Sequence, residues 1–184
     1  MRLYVFTMLM AFCMTAKTAS AQTIRLRPAG RLRPQLTLGD TLTVSASPSV
    51  VNFTLIAAGT ATGSSSVTIT TTSTGLSLFS SVGLYAYFAS ASTAMSGGSP
   101  VSYIPSSAIY GRCPTGTPTT YTAFTGTEPF GGAAAGLQVY FSNVGISLGF
   151  SRTDVLSLQI NLSSLPQQPA ATYTGSMFLQ AQAF

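Results

Sequence analysis

The chain has 184 residues, of which 46% are hydrophobic and only 6% charged, with no His, no Trp, two Cys and a formal net charge of +5. One domain suits that length, and the apolar residues are spread as β-branched and aromatic side chains among Ser, Thr and Gly, which points to exposed β structure rather than disorder. With no His and a single lysine, Lys17, the chain lacks the base that most Ser or Thr nucleophiles and acid–base pairs require.

At the N-terminus Arg2 precedes an apolar run over residues 3–14, and Ala19-Ser20-Ala21 presents the small residues that a signal peptidase reads. The spacing predicts a signal peptide over residues 1–21, removed before Gln22. That run is too short for a permanent membrane span, and bulky Phe12 before Cys13 argues against a lipid anchor. Against export stand the arginines from position 25 onward, because positive charge after a leader opposes its usual orientation. Removal of the leader leaves six arginines against Asp40, Glu128 and Asp154, a net +3, with Cys113 as the remaining thiol.

Residues 22–35 form a basic, proline-containing arm in which Arg25-Leu26-Arg27-Pro28 recurs as Arg31-Leu32-Arg33-Pro34. Its prolines cannot donate to a ladder, so the arm is predicted to be flexible or at an edge. Arg25, Arg27, Arg31 and Arg33 are candidate contacts for an anionic cell-surface polymer, since guanidinium matches phosphate geometry; the plainer reading is a solvated arm. Positive charge confined to this arm, with no recognition motif after it, argues against nucleic acid.

From residue 36 to 184 one β-sandwich domain is expected. Short strands are predicted at 36–44, 51–56, 67–70, 76–79, 83–89, 101–104, 108–110, 120–124 and 137–141, separated by Gly, Ser and Pro turns as in a sandwich or barrel. Residues 111–118 read as an exposed loop carrying Cys113, a candidate intermolecular thiol because it has no internal partner; the alternative is a free loop thiol. Residues 143–149 read as a turn. In the tail, Leu156, Leu158, Ile160 and Leu162 alternate with Ser157, Gln159 and Asn161. After Pro166 and Pro169, Tyr173, Gly175, Met177, Leu179 and Ala181 alternate with Thr174, Ser176, Gln180 and Gln182. That last run is the candidate strand-exchange edge, because an unpaired sheet margin invites another chain. No stretch has the period of an amphipathic helix.

Asp40, Glu128 and Asp154 are far apart in sequence and share no motif, and one thiol without imidazole makes no metal cluster. No catalytic residue, cofactor or metal is expected. Tyr85, Tyr87, Tyr103, Tyr110, Tyr121, Tyr140 and Tyr173 could line a sugar-binding face, or serve as strand residues with half-buried rings.

Pro48-Ser49-Val50-Val51-Asn52-Phe53, followed by Gly59 and Val67-Thr68-Ile69-Thr70, resembles the opening of bacterial secreted immunoglobulin-like domains. The close, Leu158-Gln159-Ile160-Asn161-Leu162 and then Pro169-Ala170-Ala171-Thr172-Tyr173-Thr174-Gly175, is similar to the end of spore-coat-protein-U-like and chaperone–usher pilin subunits. The resemblance implies an immunoglobulin-like antiparallel β-sandwich, a subunit of a surface fibre or coat, completed by a strand from a periplasmic chaperone or a second copy. Two features depart from it: the paired cysteines are absent, and the arm interrupts its alternation with arginine and proline. The expectation is therefore a non-enzymatic exported subunit of the periplasm, cell surface or medium. The alternatives are a secreted carbohydrate- or cell-binding module and a small outer-membrane β-barrel, suggested by terminal Phe184 and the low charge.

Overall fold

A computed structural model describes residues 6–8, 41–77, 81–130, 135–143 and 147–183. Its strands in chain order are β1 (Phe6–Met8), β2 (Thr41–Ser47), β3 (Phe53–Leu55), β4 (Thr60–Thr62), β5 (Val67–Ser77), β6 (Ser81–Phe88), β7 (Met95–Gly97), β8 (Ser102–Ile104), β9 (Ile109–Arg112), β10 (Thr122–Ala123), β11 (Leu137–Asn143), β12 (Ser147–Asn161), β13 (Tyr173–Gly175) and β14 (Met177–Ala183). A 3-10 turn, Ser106–Ala108, lies between β8 and β9.

All strand pairings are antiparallel. The largest sheet runs β10-β9-β12-β5-β2, with β4 also on β12; a second runs β11-β6-β14, a third β13-β7-β8, and β1 pairs with β3. The fold is thus all-β and sandwich-like. Its sheets remain separate among the described residues and do not close into one barrel.

Strand β12 is the organiser because it is long enough to serve three partners. Residues 147–156 lie along β5, Ser157 to Ile160 along β9, and Gln159 to Asn161 along β4. Its alternation directs Leu156, Leu158 and Ile160 inward, all at most 1% exposed. They belong to the same buried cluster as Leu84, Ala86 and Phe88 of β6, in which Phe124 lies edge-on to Phe88 at 5.2 Å between ring centres. The outward face of the large sheet is hydroxylated instead. Thr43 bonds Thr72 at 2.7 Å and Ser66 bonds Ser157 at 2.8 Å, so cross-strand hydroxyl pairs satisfy much of that face, on which Arg112 stands opposite Ser157.

The structure departs from the predicted elements in several places. The expected strand at 76–79 is not separate: residues 76 and 77 end β5, and 78–80 lie outside the described residues. The expected turn at 143–149 gives way at Ser147 to β12, which therefore begins well before the alternating run from Leu156. The run from Tyr173 divides at Ser176, with β13 on β7 and β14 on β6. Strands β4 and β7 were not predicted, as three-residue strands carry too little alternation to register. Just before β11, Gly136 is closely packed: a Cβ there would lie 2.7 Å from the Ala86 carbonyl oxygen. Phe6–Met8 of the expected leader pairs with β3, and the rest of the leader and all of residues 22–35 lie outside the described residues. Among the described residues no helix is long and apolar enough to cross a membrane.

Because Leu158 is enclosed on the central strand, Leu158→Ala is expected to lower unfolding free energy by about 2–5 kcal/mol. Denaturant titration checks this, with little change in far-ultraviolet circular dichroism below the transition.

Candidate functional site

Burial is uneven across the molecule, and the unevenness marks the site. On the β2 edge of the large sheet, Leu42, Val44 and Ala46 point toward the core yet are only half-buried, alternating with exposed Thr41, Thr43, Ser45 and Ser47. On β14, Leu179, Ala181 and Ala183 likewise pack against the core while half-exposed. The two strands run within 8 Å of one another between Cα atoms, but each is hydrogen-bonded only to its inner neighbour, β5 or β6. Two sheet margins therefore flank a seam where the core reaches the surface, and each retains one side of its backbone without a ladder partner among the described residues. Such a margin offers main-chain hydrogen bonds and alternate pockets to an added strand.

The expected exchange edge is only partly of one piece. Leu179 and Ala181 belong to the seam. Met177 is fully buried opposite Phe88, while Tyr173, 1% exposed, and Gly175 are paired with β7. A Cβ on Gly175 would meet the Ala94 carbonyl, so that position serves close packing. Val44 and Leu42, which complete the seam from the other sheet, were missed because sequence cannot show which two strands end up side by side. Arg25, Arg27, Arg31 and Arg33 lie outside the described residues.

Near one part of the core lies a buried polar cluster. Asp154 is 0% exposed, and its two carboxylate oxygens accept from Nε and a terminal nitrogen of Arg152, each at 2.8 Å. The same guanidinium donates to the Thr115 carbonyl at 2.6 Å and lies 4.6 Å from the centre of the Tyr140 ring. Hydrogen bonding to Asp154 raises the Arg152 pKa above its already high ordinary value, so the guanidinium stays charged. Asp154 is thus saturated by its partner and is no free base; its work is to tie the 113–118 loop to β12, helped by Val155 N–H donating to Thr115 Oγ1 at 2.9 Å.

Cys113 sits at the root of that loop and is 0% exposed, its sulfur 3.4 Å from Thr115 Oγ1. The loop is accordingly not exposed at its thiol, and a bridge to another molecule would require it to open. Among the described residues no three His, Cys, Asp or Glu side chains gather. An apolar cleft between Leu55, Leu162, Pro166 and Tyr173 holds about 20 Å³, room for one water and not for a ligand. The chain matches no family model, no curated protein and no solved structure. Its described residues form an all-β body with half-covered apolar rows along β2 and β14.

Two outcomes follow for the buried cluster. Burial raises the Tyr140 pKa above 10.0, the neighbouring Thr71 hydroxyl partly offsetting it. The unfolded chain then ionises first, so stability present below about pH 10 falls as pH rises further. Tyr140→Phe should flatten that fall while leaving stability at pH 7 unchanged or higher, as the hydroxyl lacks a well-formed hydrogen bond; urea titrations at pH 7 and pH 10.5 compare the two. Cys113 should react with a chromogenic disulfide reagent only after unfolding, and reaction at the rate of a free thiol in native buffer would show the loop to be open.

Proposed function

We propose that this protein is a non-enzymatic, exported structural or surface subunit that assembles by adding a strand to the β2–β14 seam. The observation that carries the reading is the pair of half-buried apolar rows, Leu42, Val44 and Ala46 on β2 and Leu179, Ala181 and Ala183 on β14, on edge strands that run within 8 Å of one another between Cα atoms. An incoming strand with apolar residues at alternate positions would bury these rows, at about 25 cal/mol for each Å² of apolar surface covered. It would also satisfy backbone groups that now face solvent.

The strand order supports the finer reading of the fold. Sheets β9-β12-β5-β2 and β11-β6-β14 fit an immunoglobulin-like sandwich that ends on edge strands β2 and β14, each with an outer margin that has no ladder partner among the described residues. This agrees with the resemblance of the chain's two ends to spore-coat-protein-U-like and chaperone–usher pilin subunits. On this reading residues 1–21 are a leader, and the strand comes from a second copy or first from a periplasmic chaperone. The arginine-rich arm is then available to an anionic surface polymer.

The test uses the chain beginning at Gln22 and charged substitutions on the seam, Val44→Asp and Ala181→Asp. Light scattering and gel electrophoresis without boiling are expected to give wild-type oligomers that dissociate on heating, and folded monomers for both variants. A wild-type chain that stays monomeric at every concentration, or variants that assemble like it, would sink the proposal.

A further inference from the structure

The outer face of the β11-β6-β14 sheet is unlike the hydroxylated outer face of its counterpart. On β6, Tyr85 and Tyr87 point outward two residues apart, about 7 Å along the strand. Register places Phe178 beside Tyr87, and Gln180 and Gln138 on either side of Tyr85. The rings of Tyr87 and Phe178 stack with centres 5.5 Å apart and planes inclined by 27°, while Phe130 meets Tyr85 edge-on at 5.1 Å. The Tyr85 hydroxyl donates to Gln138 Oε1 at 3.4 Å and the Tyr87 hydroxyl to Gln180 Oε1 at 3.5 Å. These are long for O–H···O bonds, so hydroxyls and amides both keep capacity for another partner. All six side chains are half-buried, which holds the rings in place and leaves a face of the group accessible.

We propose that this plateau of Tyr85, Tyr87, Phe130, Phe178, Gln138 and Gln180 binds a neutral polysaccharide. A hexose ring has an apolar face of C–H groups and a rim of hydroxyls. Stacked aromatic rings complement the first, and amides and phenols at their margins complement the second. Charge decides against the other chain that stacks on aromatic platforms, single-stranded nucleic acid, which needs cations along its phosphates. Among the described residues the plateau has none: Arg112 and Arg152 both belong to strands of the other sheet, and Glu128, two residues before Phe130, is an acid. The seven tyrosines considered from sequence thus separate. Tyr140 and Tyr173 are core, and Tyr85 and Tyr87 share a face with a phenylalanine and two glutamines that tyrosine counting could not reveal. This site uses a sheet face, so it is independent of what occupies the β2–β14 margins.

The full chain is incubated with microcrystalline cellulose, chitin and a soluble β-glucan, and depletion from solution or retarded migration in glucan-containing native gels is measured. Wild-type protein is expected to bind at least one of them. Tyr87→Ala and Phe178→Ala should each weaken binding about tenfold or more, a loss of roughly 1.4 kcal/mol. Tyr87→Phe, which keeps the ring, should lose much less, and Thr43→Ala on the opposite sheet should bind as wild type. Circular dichroism and thermal melts identify any variant that has lost its fold; for such a variant Gln180→Ala and Gln138→Ala, which leave the rings in place, supply the comparison. No binding to any of the three glycans, equal binding by the folded ring variants, or preferential binding to polyuridylate would overturn the inference.

Discussion

The constraint on which the molecule depends is that β12 must hydrogen-bond to three partners while keeping one face apolar. Its fifteen residues, Ser147–Asn161, lie against β5, β9 and β4 in turn. Because side chains in a strand alternate, a single-residue slip would turn Leu156, Leu158 and Ile160 out to water. The register is therefore held by the core itself. The charged half of the strand is held differently, by the Arg152–Asp154 pair and the Thr115 loop that caps it. A buried ion pair of this kind adds little net stability against an apolar replacement, but breaking it would strand a carboxylate in the core.

From that centre outward, enclosure decreases. Side chains beneath β12 and β6 are sealed, whereas the inward rows of β2 and β14 are half-covered. The inner rows of β2 and β14 stay half-covered because, among the described residues, neither strand has a ladder partner on its outer side. The proposed reading as an assembling subunit rests on these margins and requires no titratable side chain. The charge-poor composition is in keeping with it, since the hydroxylated outer face is satisfied by Thr and Ser pairs rather than by ions.

The two outer faces divide their chemistry. One is a ladder of small hydroxyls, and the other gathers rings and amides into one patch. The described arginine of an outer face, Arg112, lies opposite Ser157 on the hydroxylated one, and the six side chains of the aromatic patch are uncharged, which is why that patch is read as a surface for a neutral ligand.

By itself the sequence determined that the chain is β-rich, because alternation with period two and frequent Gly, Ser and Pro breaks are local properties. It placed most of the longer strands, including the second half of β12. It could not extend β12 back to Ser147, since Arg152 and Asp154 stand where the inward pattern calls for apolar residues and only their mutual pairing makes burial tolerable. Nor could it divide Tyr173–Gly175 from Met177–Ala183, as both runs alternate and their partners, β7 and β6, lie far back in the chain. Tertiary structure alone decided which margins lie side by side, that Cys113 is enclosed, and that two of seven tyrosines meet on one face. Those outcomes come from long-range strand pairing, and a local pattern specifies which side of a strand is apolar without specifying its neighbour.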